Sequence, residues 1–343
     1  MSKIGRILVG IITYLLIILI CGKVSYTPDW SGYEFLLENN SRLEVFFKII
    51  SDFALKKGFT YEDVHLFYVS IYTIFLLWLI SIFNKNLFVI SFFYLFFVFL
   101  FYTTQIRFFM GYYAGILALY YFLHDRRLLL SLALFLFAIL NHSSLIILLL
   151  YIPLFSINIH KLTKIVTIAA VAGVFFFFAL NLFIPITTLI NNDARFSAYL
   201  SIESRSSVLG GFASLLPFII YIPFLSKYYF KVRNKLSLVE DINKIDFLYK
   251  LTIIPIAFTG LSIYIQIIGH RFIVPSLVIS LMLYFKLRSY DNKNRILRNY
   301  FIAFLCFGVL YYYILLPYIT SSHKNENIIR MLNSNQIIQN LLL

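Results

Sequence analysis

Residues 87–123 read LFVISFFYLFFVFLFYTTQIRFFMGYYAGILALYYFL, and Arg107 is the only fully charged side chain in that whole length. Two apolar blocks, 87–103 and 106–123, meet at the polar break Thr104-Gln105. As α-helices rising 1.5 Å per residue, each comes close to the roughly 30 Å of a bilayer's hydrocarbon layer. A stretch this apolar cannot face water on any side, so it predicts two membrane helices back to back. An arginine opens the second of them.

The same pattern extends in both directions. Apolar blocks predict helices over 4–21, 64–83, 87–103, 106–123, 128–141, 143–157, 165–186, 211–226, 248–268, 272–287 and 300–319, about eleven spans in all. Composition agrees: 61% of the 343 residues are hydrophobic and 13% charged, whereas soluble domains are about 25% charged. A soluble enzyme, a disordered chain and a disulfide scaffold are excluded. The expected fold class is an all-α polytopic membrane protein. With no internal repeat, Pro-rich linker or shift in composition, residues 1–343 are expected to form a single integral membrane domain.

The net charge of +14 invites a nucleic-acid reading, but the basic residues are strung between apolar blocks rather than gathered on one face. With the N-terminus cytoplasmic, 18 of the 29 Lys and Arg fall inside, concentrated in short loops such as His124-Asp125-Arg126-Arg127. The excess is topogenic, and no nucleic-acid partner is expected. Lys3 and Arg6 before an apolar run imitate a signal peptide. Ile18-Leu19-Ile20 offers no small-residue cleavage site, so this segment is expected to stay as the first helix. Cys21 and Cys306 sit in the first and last blocks, near opposite faces in this topology and out of disulfide reach. No His/Cys spacing or carboxylate cluster suggests a metal, and no cofactor is expected.

Two loops, 22–63 and 187–210, fall outside, as does the tail 320–343. In the first, Leu43, Phe46, Phe47, Ile50, Phe53 and Ala54 recur at helical spacing. Glu44, Lys48, Ser51 and Asp52 take the other face, predicting an amphipathic helix along the outer interface or over the bundle mouth.

Charges inside a bilayer are costly, so polar groups at span ends are where function is sought. On the expected outer side these are Gln105 and Arg107, Asn141 and His142, Gln266, and His270 and Arg271. Asp29, Trp30, Tyr33 and Glu34 in the first loop, and Arg195 and Arg205 in the second, join them. No Asp, Glu, Lys or Arg stands mid-span, which favours chemistry at the membrane–water boundary over ion-coupled transport. Each feature has a structural alternative. Arg107 can anchor to headgroups, Ser143 can cap the following helix, and Arg195 and Arg205 can pair with Asp193 and Glu203. Asp29 and Glu34 can belong to a solvated loop. Gly111-x-x-x-Gly115 reads as close packing rather than a ligand site.

Four outer arginines point to an anionic ligand, since the guanidinium fork meets phosphate oxygens two at a time. A lipid pyrophosphate would place its head at this depth and its tail along the helices. Trp30 and Tyr33 could stack on sugars, and a carboxylate or histidine (Asp29, Glu34, His142 or His270) could deprotonate an acceptor hydroxyl.

The run Asp29-Trp30-x-x-Tyr33-Glu34, then Leu43-Glu44-x-x-Phe47, Gln105-Ile106-Arg107, Asp125-Arg126-Arg127 and Ala138-Ile139-Leu140-Asn141-His142-Ser143-Ser144-Leu145 resembles the EpsG-like branch of bacterial exopolysaccharide and O-antigen repeat-unit polymerases (Wzy type). The match covers roughly residues 25–155, with Arg271 after Gly269-His270 as a late addition. Phe108-Phe109 departs from the polar residue that commonly follows the arginine. The resemblance implies a GT-C-like transferase in the bacterial inner membrane, its site facing the periplasm or exterior. It would join undecaprenyl-pyrophosphate-linked oligosaccharides, without nucleotide sugar or ATP. Membrane lipids, a chain-length regulator and a flippase are the partners so implied. The rivals are an O-antigen ligase using the same donor, a membrane O-acyltransferase, and a lipid-linked oligosaccharide flippase or transporter. The ligase should carry its largest outer loop late rather than first, and the flippase should show repeat symmetry or a polar path.

Overall fold

The computed structural model describes residues 3–25, 27, 33–35, 37, 44–183, 216–264, 271–291, 295–309 and 331–342. Every regular element among them is a helix. Five are long and apolar enough to cross a membrane: Ile4–Cys21, Tyr61–Phe83, Ile106–Asp125, Ile159–Phe177 and Arg271–Tyr290. Leu87–Phe96, Leu128–Asn141 and Ser143–Ser156 are apolar but shorter. This is a helical membrane protein. Its described helices gather into two compact units, Met1–Pro153 with His323–Leu343, and Leu154–Ser322.

In the first unit α1 (Lys3–Cys21) leaves Ile4, Ile7, Leu8, Ile11, Ile12 and Leu15 all more than half exposed. So much bare aliphatic surface along a single helix needs lipid against it. α2 (Val45–Lys57) is the expected amphipathic helix, ended by Gly58 at φ 69°, a left-handed conformation that glycine takes without a Cβ clash. Its register differs from expectation. Phe47, Ser51 and Ala54 form the buried stripe, while Val45, Ile49 and Phe53 are exposed. Periodicity puts Ser51 on the water face, yet it is fully buried; it puts Phe53 inward, yet that side chain is 53% exposed. The small Ser51 and Ala54 let the helix lie close against its neighbours, which a purely apolar count does not weigh.

α3 (Tyr61–Phe83) starts three residues before the predicted 64, because Thr60 and Asp63 cap it: the Thr60 amide donates to Asp63 Oδ2 at 3.1 Å. α4 (Leu87–Thr104) follows, then α5 (Ile106–Tyr120), which continues through a π-helical turn, Tyr121–Asp125. α5 is buried on nearly every side and forms the centre of the unit. α6 (Leu128–Asn141) packs along it, with Ser131 Oγ donating to the Ala118 carbonyl at 2.8 Å.

Ser143–Leu150 is a 3₁₀-helix leading into α7 (Tyr151–Ser156). Three residues per turn align Leu145, Leu148 and Tyr151 on one face, and all three are buried. Leu145 and Leu148 fill the space left by Gly111 and Gly115, where any Cβ would collide with them. The two glycines are packing residues.

The chain's end closes this unit. Asn335 donates to the carbonyls of Leu19 and Ile20 at 2.9 and 3.0 Å, and its Oδ1 accepts from the Ile337 and Ile338 amides in the first turn of α14 (Gln336–Leu342), at 3.0 and 3.1 Å. One side chain thereby satisfies a helix C-terminus and a helix N-terminus.

The second unit contains α8 (Ile159–Phe183), α9 (Leu216–Arg233) and α10 (Val239–Ile253). A 3₁₀ turn, Ile254–Phe258, leads into α11 (Thr259–Tyr264), and α12 (Ser276–Tyr290) and α13 (Arg295–Val309) complete it. Gly173 and Gly260 bring the backbones of α8 and α11 into contact. Aromatic stacks join the others: Tyr229 on Tyr249 at 3.8 Å, Tyr284 on Phe301 at 3.9 Å and Tyr221 on Phe304 at 4.1 Å.

Candidate functional site

Gln105 precedes α5 as its N-cap, its carbonyl accepting from the Phe109 amide at 3.0 Å. Arg107 therefore sits in the first helical turn, with its side chain only 16% exposed. A cation at a helix N-terminus faces the positive end of the macrodipole, and burial adds a desolvation cost. Both penalties need compensation. The sequence supplies it from far away.

Glu44, at the start of α2, forms an ion pair with Arg107 Nη1, its own side chain 23% exposed. Arg107 Nε donates to Tyr33 Oη at 3.4 Å. The guanidinium lies over the rings of Tyr33 and Phe47, at 5.1 and 5.0 Å from their centroids, within cation–π range. Tyr33 stacks on Tyr61 at 6.1 Å, and Phe47 leans on Tyr68 at 5.7 Å. Behind them His65 is fully buried, its Nε2 at 2.9 Å from the Thr103 carbonyl. One arginine is thus held by a carboxylate, a phenol and two aromatic rings.

His142 stands beside the same helix turn. Its ring meets Phe108 edge-on at 5.2 Å, and its Nδ1 is 2.8 Å from Ser144 Oγ. Asn141 is buried, its amide donating to the Phe137 carbonyl at 2.8 Å. Ser143 does not cap the following helix as its position suggests: His142 occupies the capping position ahead of the 3₁₀-helix, and no side chain caps it. Glu34, next to Tyr33, is half-buried in the helical turn 33–35.

The first unit thus gathers Tyr33, Gln105, Arg107 and His142 around the start of α5. Arg271 is half-buried in the second unit, just ahead of α12. Asp29, Trp30, Arg195, Arg205, Gln266 and His270 lie outside the described residues. Among those described, no three His, Cys, Asp or Glu side chains stand close enough to hold a metal ion.

Glu44 and Phe47 are not among the candidate site residues that the sequence suggests. Periodicity alone puts Glu44 on the water face of α2. The available signal was Arg107 itself: a cation opening an apolar helix requires a carboxylate, and Glu44 stands just before the one amphipathic helix.

A model of the EpsG family matches residues 6–330 of the chain. No curated protein and no solved structure matches it.

Proposed function

The chain belongs to the EpsG family, and from that premise we propose that it polymerises lipid-linked oligosaccharide repeat units at a membrane face. Membership points to polysaccharide polymerisation, and the helices place the protein in a membrane. The finer reading is that the growing glycan leaves an undecaprenyl pyrophosphate for a hydroxyl of a new lipid-linked unit. Its setting is the outer side of a bacterial inner membrane, in one GT-C-like domain of eleven spans. O-antigen, capsule and exopolysaccharide units are all compatible with it.

The observation that carries this reading is the Arg107 cluster. Glu44 shows that the guanidinium edge accommodates an anionic oxygen, the type a pyrophosphate presents. Tyr33 and Phe47 supply an aromatic wall suited to sugar faces. In the reaction the bond between the anomeric carbon and the pyrophosphate oxygen breaks, and its electron pair leaves with the phosphate. The acceptor oxygen bonds to the anomeric carbon and its proton passes to a base. Arg107 stabilises the leaving charge. His142 is the base favoured here, because its ring is oriented by Ser144 and Phe108 beside that turn. Asp29, Glu34 and His270 are the other proton acceptors. Trp30, Gln105, Arg195, Arg205 and Arg271 complete the glycan- and pyrophosphate-binding set.

Purified protein given one lipid-pyrophosphate repeat unit should make a ladder of products. A single product on a lipid A core acceptor would instead indicate a ligase, and translocation without new glycosidic bonds would indicate a flippase. Arg271→Ala should abolish the ladder at normal expression; a full ladder would remove Arg271 from the site.

A further inference from the structure

A cavity of about 740 Å³ opens in the first unit between the N-terminal end of α1, the C-terminal end of α3 and the turn leading into α4. Its lining residue Ser81 on α3 is roughly 30 Å along the helix from Tyr61, and the cavity shares no residue with the Arg107 cluster. The volume falls in the roughly 300–1,000 Å³ range of small-molecule sites, far more than a hydrated ion requires.

The lining is divided by chemistry. Ile74 and Leu77 form an apolar wall, and Gly10 leaves the facing side open, since a Cβ there would meet no atom within 4 Å. Arg6 and Lys85 stand at the polar end, both exposed and neither in an ion pair among the described residues. No Asp or Glu lines the cavity. Trp78 borders it with its ring fixed, the indole Nε1 donating to Tyr121 Oη at 3.0 Å.

Two cations without a carboxylate attract an anion, and the wall beside them belongs to two helices that can cross a membrane. A free phosphate would satisfy the cations and leave the aliphatic wall bare. A zwitterionic headgroup would bring a third positive charge. We infer that this cavity binds an anionic glycerophospholipid, its phosphate between Arg6 and Lys85 and an acyl chain along Gly10, Ile74 and Leu77. The inference is independent of glycan polymerisation.

The chain has only two tryptophans, so Trp30→Phe leaves Trp78 as the sole indole reporter. This protein would be placed in vesicles carrying brominated phosphatidylglycerol or brominated phosphatidylcholine at equal mole fraction. Trp78 emission should be quenched more steeply by the anionic lipid. Arg6→Gln and Lys85→Gln should each reduce that preference by the roughly fivefold that about 1 kcal/mol per basic side chain represents. Gly10→Leu, which meets no neighbour at its Cβ and keeps both cations, should weaken quenching by either lipid. Equal quenching by the two lipids would overturn the site. A preference that survives the double Gln variant would overturn it as well. Displacement of the brominated lipid by undecaprenyl pyrophosphate at a lower mole fraction would overturn the assigned occupant.

Discussion

Two arginine–carboxylate pairs, one in each unit, show how differently the same chemistry can be used. Arg233 and Asp246 are 13 residues apart and meet through both edges: Nε to Oδ1 at 2.9 Å and Nη2 to Oδ2 at 3.1 Å. Tyr229 also donates to Asp246, and the hydrogen bonds that Arg233 itself makes to this carboxylate hold its pKa above the ordinary value. The fork is filled, and the result is a strut between α9 and α10. Arg107 and Glu44 are 63 residues apart and meet through Nη1 alone. Among the described residues, Arg107 Nη2 makes no hydrogen bond, and the Tyr33 hydroxyl and two flanking rings stand in place of a second carboxylate contact. A closed pair stabilises. An open one can still take a ligand oxygen.

The largest expected effect follows from that difference. Arg107→Ala should lower polymerisation by 100- to 1,000-fold, the loss typical when a donor to developing negative charge is removed, about 2.7–4 kcal/mol. Arg233→Ala should leave the rate per folded molecule within a few-fold, while lowering thermal stability by about 1–2 kcal/mol, between the values for exposed and buried pairs. Both are read from the product ladder and the melting temperature of the same preparations. A wild-type ladder from well-inserted Arg107→Ala protein would reduce Arg107 to an anchor. Equal catalytic losses in the two variants would erase the contrast.

Arg107→Lys sharpens the comparison, because it keeps the charge and loses the planar fork. Lysine should recover only a small part of the activity, while Arg233→Lys should retain most of the stability that Arg233→Ala loses. Full recovery by Arg107→Lys would mean that a point charge suffices at the site.

Much of this arrangement was legible in the sequence. In the first unit apolar blocks locate the helices to within a few residues, and Gly111-x-x-x-Gly115 marks the close approach that Leu145 and Leu148 make. In the second unit α8 starts at Ile159 rather than 165 and α10 at Val239 rather than 248, because charged first turns that hydropathy counts as loop are helical. Arg107 stood out as the sole charge between 87 and 123. The missing part is long-range. Nothing local to Gln105-Ile106-Arg107 says that Glu44, Tyr33 and Phe47 will close over it, since that depends on how α2 docks. The α2 face departs from periodicity for the same reason: Ser51 is buried because a small side chain fits a close contact, and periodicity ranks it only as polar. Likewise Thr60 extends α3 through a capping bond to Asp63, which hydropathy does not detect.

Glu44→Gln separates the two roles a carboxylate beside Arg107 can have. As a counter-ion Glu44 competes with the donor's phosphate oxygens, so its neutral isostere should lower the donor KM and keep kcat within about tenfold. Leaving a partly buried arginine unpaired should cost stability, less than the roughly 3–5 kcal/mol of a fully buried charge. A 100-fold fall in kcat at unchanged KM would instead make Glu44 the proton acceptor and displace His142 from that role.

The smallest effect is expected at a third arginine. Arg126 is exposed, forms no ion pair among the described residues, and closes the π-helical turn at φ 52°. A non-glycine residue in that left-handed conformation is strained by roughly 1–2 kcal/mol, part of which glycine returns as lost unfolded-state entropy. Arg126→Gly should therefore leave the ladder unchanged and raise stability by no more than about 1 kcal/mol. The neighbouring Arg127 keeps a positive charge in the same short loop. If Arg126→Gly damaged polymerisation as severely as Arg107→Ala while inserting normally, the argument that position and partners set an arginine's role would fail. Overall positive charge would then be the governing property.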